Sequence, residues 1–211
     1  MNLSRGPKLK NWVADFETTT KEDDCRVWGW GFASIDQIGR VETGTDIDSF
    51  FDRIKELDLT VYFHNLGFDG IFILDRLFRM GYTHHEEGRL KPGTFDTLIS
   101  NMGKFYSITV NWEDGGKTVF KDSLKKLPMS VAAIADAFNM DIGKGDIDYH
   151  AERPVGHVLT PEEISYIERD VLIVARALKI QLDSGMTKLT VGADSLAEYK
   201  RITGGKVFTR I

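Results

Sequence analysis

The pattern of apolar and polar positions predicts alternating strands and helices in the first part of the chain. Short apolar runs at 12–16, 26–33 and 59–64 are typical of strands, because β-rich residues dominate them and turn residues bound them. Residues 46–57 and 68–80 change to helical spacing, with apolar side chains every three or four positions. Each of these two segments therefore predicts a helix that turns one apolar stripe towards a core.

The middle of the chain predicts a β-hairpin that interrupts this alternation. Two β-rich runs, 105–112 and 118–121, flank a turn at 113–117 that contains Asp-Gly, a strong hairpin signal. A short helix is expected over 130–138. The Gly- and Asp-rich stretch at 139–159 is expected to be irregular, and in a compact domain such a stretch is more often a functional loop or an inserted loop than a mere connection.

The clearest helix signal comes last. Thr160, Pro161 and Glu163 form a capping box with proline at the first helical position, which predicts a helix that runs to about Asp183. Strands that alternate with helices indicate the α/β class, and we expect one domain over 1–211.

Composition is consistent with one soluble domain. The chain has 211 residues, of which 42% are hydrophobic, enough for one sizeable core. Its single cysteine, Cys25, excludes an intrachain disulfide and a thiolate zinc site, which suits a reducing cytoplasm. No stretch approaches the ~20 apolar residues that a membrane span needs. We expect a cytoplasmic protein with no membrane partner.

The charge balance limits the choice of partner. A formal net charge of -5 is unfavourable for tight binding of nucleic acid, whose phosphates normally meet a basic surface. Basic groups are nevertheless clustered, as at Lys121, Lys125 and Lys126. The charge therefore remains compatible with an enzyme that holds a few nucleotides.

Three short strings place acidic side chains at the ends of predicted elements. Asp15 and Glu17 are two apart on the first strand, so both side chains leave the same face. Asp69 comes at the start of a predicted helix, where the positive end of the helix dipole favours a carboxylate. Tyr166 and Asp170 are four apart and share one face of the last helix. We expect one cleft that holds four carboxylates and a phenol.

Four carboxylates in one cleft imply bound cations, because burial and repulsion would otherwise cost roughly several kcal/mol per group. Oxygen ligands suit Mg²⁺ or Mn²⁺ rather than Zn²⁺, and two such ions about 3.5 to 4 Å apart form the clamp used for in-line attack on a phosphodiester. Tyr166 is expected to orient the attacking water, since a phenol with an unperturbed pKa of about 10 is protonated at neutral pH.

Each of these residues also has an ordinary structural role open to it. A lone Asp-x-Glu is common beside strands, and Asp69 stands where an acid often caps a helix. Tyr166 and Asp170 also fit the half-exposed surface of an amphipathic helix. The spacing alone leaves these roles open, and the combination of the three strings favours the metal site.

The three strings resemble the Exo I, Exo II and Exo III motifs of DnaQ-like, DEDDy-type 3′-5′ exonucleases. Their wider contexts resemble the proofreading domain of phi29-type, protein-primed family B DNA polymerases of bacteriophages. The contexts are Asp-Phe-Glu-Thr-Thr-Thr at 15–20, Tyr-Phe-His-Asn-Leu-Gly-Phe-Asp-Gly at 62–70, Asp-Ser-Leu-Lys-Lys-Leu-Pro at 122–128 and Lys-Gly-Asp-Ile-Asp-Tyr-His at 144–150. The similarity covers about residues 13–208. It implies a ribonuclease H-like α/β fold, a mixed sheet flanked by helices with a β-hairpin insertion.

The resemblance also implies roles for further residues. Lys144 matches a lysine that assists catalysis near the scissile phosphate. Nine residues match positions that hold the single-stranded 3′ end: Thr18, Tyr62, His64, Asn65, Phe68, Phe72, Ser123, Leu124 and Tyr149. Aromatic rings such as those of Tyr62 and Phe68 suit stacking on unpaired bases, and the polar side chains suit hydrogen bonds to sugar and phosphate. One departure is Met129, where the family often has phenylalanine.

The expected function is removal of single nucleotides from the 3′ end of single-stranded DNA by a two-metal mechanism, as the proofreading domain of such a polymerase. The expected catalytic residues are Asp15, Glu17, Asp69, Tyr166, Asp170 and Lys144, with the four acids as ligands of two Mg²⁺ or Mn²⁺ ions.

Expected partners are the DNA 3′ end, a polymerase domain in the full-length chain and a terminal protein, in a bacterial host cell if a phage encodes the protein. The polymerase palm motifs do not occur in the sequence. Two alternatives stay open, a free-standing DNA or RNA exonuclease and a non-enzymatic docking module for terminal protein or displaced strand.

Overall fold

The structure, a computed structural model, describes residues 10–21, 23–55, 57–85, 91–143 and 145–204. Lys144, for which the sequence predicts a catalytic role, lies outside the described residues. The strands are β1 Lys10–Thr18, β2 Val27–Ser34, β3 Val41–Gly44, β4 Leu59–Phe63, β5 Thr83–His84, β6 Thr94–Ile99, β7 Phe105–Asn111 and β8 Lys117–Asp122. The α-helices are α1 Ile47–Ile54, α2 Leu66–Arg79, α3 Val131–Ala137, α4 Pro161–Asp183 and α5 Val191–Thr203, and a 3₁₀ turn covers Ser123–Lys125.

The strands of the described residues form one mixed sheet in the order β3-β2-β1-β4-β8-β7-β6-β5. The central strands β1, β4 and β8 are parallel. Antiparallel pairs extend the sheet through β2 and β3 on one side and through β7 and β6 on the other. This architecture confirms the predicted α/β class.

The predicted hairpin is present as β7 and β8, and it belongs to the main sheet because β8 pairs in parallel with β4. The predicted capping box is also present, since Thr160 and Glu163 exchange side-chain and backbone hydrogen bonds at the start of α4. The sequence pattern does not predict β5, β6 or α5. None of the described helices is long and apolar enough to cross a membrane.

Helices cover both faces of the sheet. Helices α1 and α2 enclose an aromatic core on one face, where the ring of Phe16 makes edge-to-face contacts with Phe50 and Phe63 at 4.9 Å each. Helices α3 and α4 pack on the other face, where Val13 and Val171 belong to a second core. Because residues alternate along β1, Asp15 and Glu17 share the face of Val13, towards α4.

Helix α4 lies unusually close to the sheet at Gly31. Gly31 is the residue on β2 directly opposite Asp15 of β1. A Cβ atom added at Gly31 would lie 2.6 Å from Cγ2 of Ile167 and 2.7 Å from Cγ2 of Val171. Only glycine permits this approach. Since Tyr166 and Asp170 adjoin these two contact residues, the close packing brings them near Asp15.

Candidate active site

Three elements bring the predicted acids together. Asp15 and Glu17 come from β1, Asp69 from the first turn of α2, and Asp170 from the middle of α4. Glu17, Asp69 and Asp170 are buried, and Asp15 is half-buried. Buried carboxylates from separate elements are costly unless they serve a ligand or have strong partners.

Asp69 shows how closely the acids approach one another. Burial raises its pKa well above the ordinary value, and the negative charge of Asp15 and then that of Glu17 raise it further. Its Oδ1 atom is buried and has no hydrogen-bond partner among the residues that the structure describes. This oxygen is therefore positioned to serve a ligand from outside the chain.

The oxygen donors fit a hard divalent cation. Within the described residues, no three or more His, Cys, Asp or Glu side chains are arranged as a set that could hold a metal ion. Mg²⁺ does not require such a set, because it usually keeps several waters and binds one or two carboxylates together with substrate phosphates. The buried Asp69 oxygen and its carboxylate neighbours suit that mode of binding.

Tyr166 reaches the same cluster from α4 and remains protonated. Burial raises the pKa of its phenol far above the ordinary value, and the hydrogen bond with Tyr149 and the charges of Glu17 and Asp170 act in the same direction. The two tyrosine hydroxyls lie 2.6 Å apart, and their rings meet edge to face at 6.3 Å. Tyr166 is therefore a neutral hydroxyl that can give or accept a hydrogen bond.

Clefts open on both sides of this tyrosine pair. One is lined by Thr19, Trp28 and Tyr149, and the other by Ser165, Tyr166 and Arg169. Half of the Tyr149 side chain is exposed to solvent. A ligand can therefore reach the tyrosines from the surface.

Several residues with a predicted role in DNA binding line the same edge of the sheet. Phe68 is 50% exposed in the first turn of α2, and its ring lies 5.9 Å from that of the half-buried Phe72. Asn65 is exposed at the start of α2, and Thr18 follows Glu17 at a register shift in β1. These side chains are accessible to a ligand.

Tyr62 and Ser123 are placed differently. The ring of Tyr62 is only 4% exposed and belongs to the core on the α4 side, and burial raises its pKa to about 12. The expected stacking of Tyr62 on a base is at odds with this burial. Ser123 is fully buried and donates to the carbonyl of Phe63, so it holds the 3₁₀ turn against the end of β4 and does not face a ligand.

His64 lies between two elements of the site. Its Nδ1 is 3.0 Å from the Ser123 hydroxyl, and its Nε2 is 2.8 Å from the carbonyl oxygen of Met129. These contacts link the end of β4 to the segment after β8. Leu124 is half-buried within the same 3₁₀ turn as Ser123.

Asp122 organises this edge, a role that its sequence position does not predict. Its Oδ1 accepts hydrogen bonds from the backbone N–H groups of Asn65, Leu66 and Leu124, and its Oδ2 pairs with Lys125 at 2.7 Å. The sequence signal that could have identified this role is an acid at the end of a predicted strand, directly before Ser-Leu. Asp122 fixes the start of α2, which carries Asp69, relative to the 3₁₀ turn.

Comparison with known proteins identifies the family of this chain. The family described as DNA polymerase type B, organellar and viral, matches residues 52–157. The chain is 47% identical over 206 residues to a DNA polymerase of Bacillus phage B103, 44% to that of Bacillus phage phi29 and 34% to that of Streptococcus phage Cp-1. These alignments cover 96%, 96% and 90% of this chain and 36%, 36% and 34% of the relatives.

Solved structures give the same result. The chain superposes on phi29 DNA polymerase complexed with single-stranded DNA with a TM-score of 0.90 and 41% identity, over 97% of this chain and 37% of that one. The phi29 polymerase in a ternary complex with primer-template DNA and nucleotide substrates gives 0.89, with 41% identity over 98% and 36% of the two chains. The chain therefore belongs to the type B DNA polymerases of organelles and viruses. It spans about a third of the length of the relatives that it matches.

Proposed function

We propose that this chain is a metal-dependent 3′-5′ exonuclease unit that acts on single-stranded DNA within a phage-type DNA polymerase. The observation that carries the proposal is the convergence of the Asp15, Glu17, Asp69 and Asp170 carboxylates on the neutral hydroxyl of Tyr166. The chain belongs to a DNA polymerase family, which supports DNA as the substrate. Removal of misincorporated nucleotides is the proposed biological purpose.

The four carboxylates would hold Mg²⁺ or Mn²⁺. Two such ions, when bound, supply Lewis-acid stabilisation of the attacking and leaving oxygens of the phosphodiester. The surroundings of Asp69 support this assignment, because burial and then the charges of Asp15 and Glu17 raise its pKa, and a cation there would favour its ionised form.

The chain's own residues bind and orient the substrate. The exposed ring of Phe68 is placed to stack on a base of the 3′ end, and the Asn65 amide can bond sugar or phosphate. Tyr166, protonated and held by Tyr149, is placed to give a hydrogen bond to a phosphate oxygen or to orient a water molecule. Tyr166 and its neighbours Glu17 and Asp170 are buried, and the low dielectric there strengthens the hydrogen bonds that Tyr166 makes.

The context of the chain is part of the proposal. A solved relative is complexed with single-stranded DNA, which supports a single-stranded 3′ end as substrate here. The relatives are about three times as long, so a polymerase domain in the same polypeptide is the proposed partner. We also propose contact with a terminal protein, and action in the cytoplasm of a bacterial host.

Digestion of a 5′-labelled single-stranded oligonucleotide in Mg²⁺ or Mn²⁺ tests the proposal. We expect a ladder of single-nucleotide steps from the 3′ end, abolished by EDTA and by the double substitution Asp15→Ala, Glu17→Ala. The substitution Asp52→Ala removes an acid from a surface ion pair on α1 and serves as the control with full activity.

Two outcomes would favour a different function. Intact DNA with a chain that still binds Mn²⁺ would reject the exonuclease and favour a docking surface. Faster digestion of an RNA end than of a DNA end of equal length would favour a free-standing nuclease.

A further inference from the structure

The irregular segment that carries Tyr149 is held by a buried arginine. The described residues between α3 and α4 contain no helix or strand, so other contacts must fix their conformation. The side chain of Arg153 is only 4% exposed. Its guanidinium lies 4.0 Å above the ring of Trp28 on β2, a cation–π contact that anchors it to the sheet.

Arg153 connects the backbone beside Tyr149 to helix α4. Its Nη2 donates to the carbonyl oxygen of Asp148 at 2.9 Å, and this carbonyl belongs to the peptide group that joins Asp148 to Tyr149. Its Nε donates to Oε1 of Glu163 at 2.8 Å, and its Nη1 donates to the carbonyl of Ala151 at 3.3 Å. One side chain therefore links the sheet, the segment and the helix.

Glu163 is itself fixed to the first turn of α4. Its Oε2 accepts the backbone N–H of Thr160 at 3.0 Å and lies 2.6 Å from Nε2 of His157. Glu163 stands three residues before Tyr166, and both are on the same helix. Arg153 thus connects the backbone beside Tyr149 to the turn of α4 that precedes Tyr166.

We propose that Arg153 is a positioning residue for phosphodiester hydrolysis by this chain. By holding the Asp148–Tyr149 peptide against α4, it keeps the Tyr149 hydroxyl 2.6 Å from that of Tyr166 and so fixes where the Tyr166 phenol points. This inference rests on the exonuclease function proposed above. A lysine does not replace Arg153, because only a flat guanidinium stacks on Trp28 while donating in three directions.

Kinetics of Arg153→Lys, Tyr149→Phe and the double variant test the proposal. Each single substitution should lower kcat on single-stranded DNA by roughly 10- to 100-fold, the effect of a small misplacement of a reacting group. The double variant should be no slower than the slower single variant, because both changes remove one function. Losses that multiply in the double variant would overturn the proposal.

Arg176→Lys is the matched control. Arg176 is also an arginine that ties α4 to this segment, because it pairs with Asp141 at 2.7 Å, but it makes no contact with the Asp148–Tyr149 peptide among the described residues. Full activity of Arg176→Lys is expected. An equal loss of kcat in this control would show that any disturbance of the segment lowers activity. The positioning role proposed for Arg153 would then be wrong.

Amide hydrogen exchange gives a readout that does not depend on activity. The amides of His150 and Ala151 donate to Oδ1 and O of Asp148, so their exchange reports on the turn that Arg153 holds. Arg153→Lys should speed exchange there at least roughly tenfold and leave the buried part of α4 protected. Unchanged exchange, or faster exchange throughout α4, would overturn the inference. Inactive wild-type protein with the expected exchange pattern would reject the exonuclease function while keeping the contact.

Discussion

Replacing Gly31 with alanine should displace helix α4 and, with it, Tyr166 and Asp170. The added Cβ atom would lie 2.6 Å from Cγ2 of Ile167 and 2.7 Å from Cγ2 of Val171. Both contact atoms belong to β-branched side chains, whose χ1 angle is restricted in a helix. The methyl groups cannot rotate away, so the helix itself must move.

The size of the effect follows from these distances. Ordinary contact begins near 3.4 Å, so the nearer methyl group must retreat by roughly the difference from 2.6 Å, about 0.8 Å. Overpacking of this kind costs about 1–3 kcal/mol of unfolding free energy. If Tyr166 and Asp170 act in the proposed exonuclease, a shift of this size should lower its kcat by roughly 10- to 100-fold.

Two assays on the same protein separate these effects. Urea unfolding followed by tryptophan fluorescence gives the free energy, and single-turnover digestion of single-stranded DNA gives the rate. Gly39→Ala is the control, because an added Cβ there meets nothing within 4 Å. The control should change neither quantity appreciably.

Two results for the Gly31→Ala variant would contradict this expectation. Unchanged stability and rate would mean that α4 does not lie at this distance from β2. Lost stability with a full rate would mean that the spacing between helix and sheet does not govern the site.

Three further predictions concern stability in urea unfolding. Lys126→Met should cost about 3–5 kcal/mol, because it leaves the carboxylate of Asp194 buried without the ammonium now 2.6 Å away; a cost under about 1 kcal/mol would contradict this. Thr160→Ala should cost about 1 kcal/mol by removing the N-cap of α4, and Thr160→Ser should retain most of the stability. Burial raises the pKa of Glu163, but the hydrogen bonds that it accepts outweigh burial and hold its pKa below the ordinary 4.5. Its stabilisation is therefore present above that pH and is lost as the pH falls through the folded-state pKa, so the wild type should lose more stability than Glu163→Gln between about pH 5 and 3. Equal losses would reject that assignment.

The elements that the sequence predicts are those with a local signal. The capping box at Thr160 and the Asp-Gly turn between β7 and β8 are complete within a few residues. The pairing of β8 with β4 has no such signal, because periodicity does not name a strand's partner. Helix α5 is not predicted, and it packs little against the core: Asp194 is its one buried residue, and Leu196, Tyr199 and Ile202 are exposed although they lie at helical spacing.

In the candidate site, too, the features that depend on local spacing are predictable and those that depend on the tertiary fold are not. Spacing predicts that Asp15 and Glu17 share a face and that Tyr166 and Asp170 share another. In the structure Asp15 and Glu17 both act on Asp69, and Glu17 and Asp170 both act on Tyr166. The burial of Tyr62 is not readable from spacing, because β4 lies between β1 and β8 and is covered on both faces.

Strand order also bears on when the acids meet during folding. Strands β6, β7 and β8 follow one another in sequence, whereas β4 must join β8, and β1 must join β4, from far along the chain. Because closing short loops costs less entropy, we expect the β6–β8 meander to form early and β1 to dock late.

The repulsion among the carboxylates would then oppose only the last stage of assembly. Mg²⁺ bound at the acids should accordingly slow unfolding and leave the folding rate unchanged. Chevron plots with and without Mg²⁺ measure both rates. A faster folding limb in Mg²⁺ would show that the acids are already together at the folding barrier.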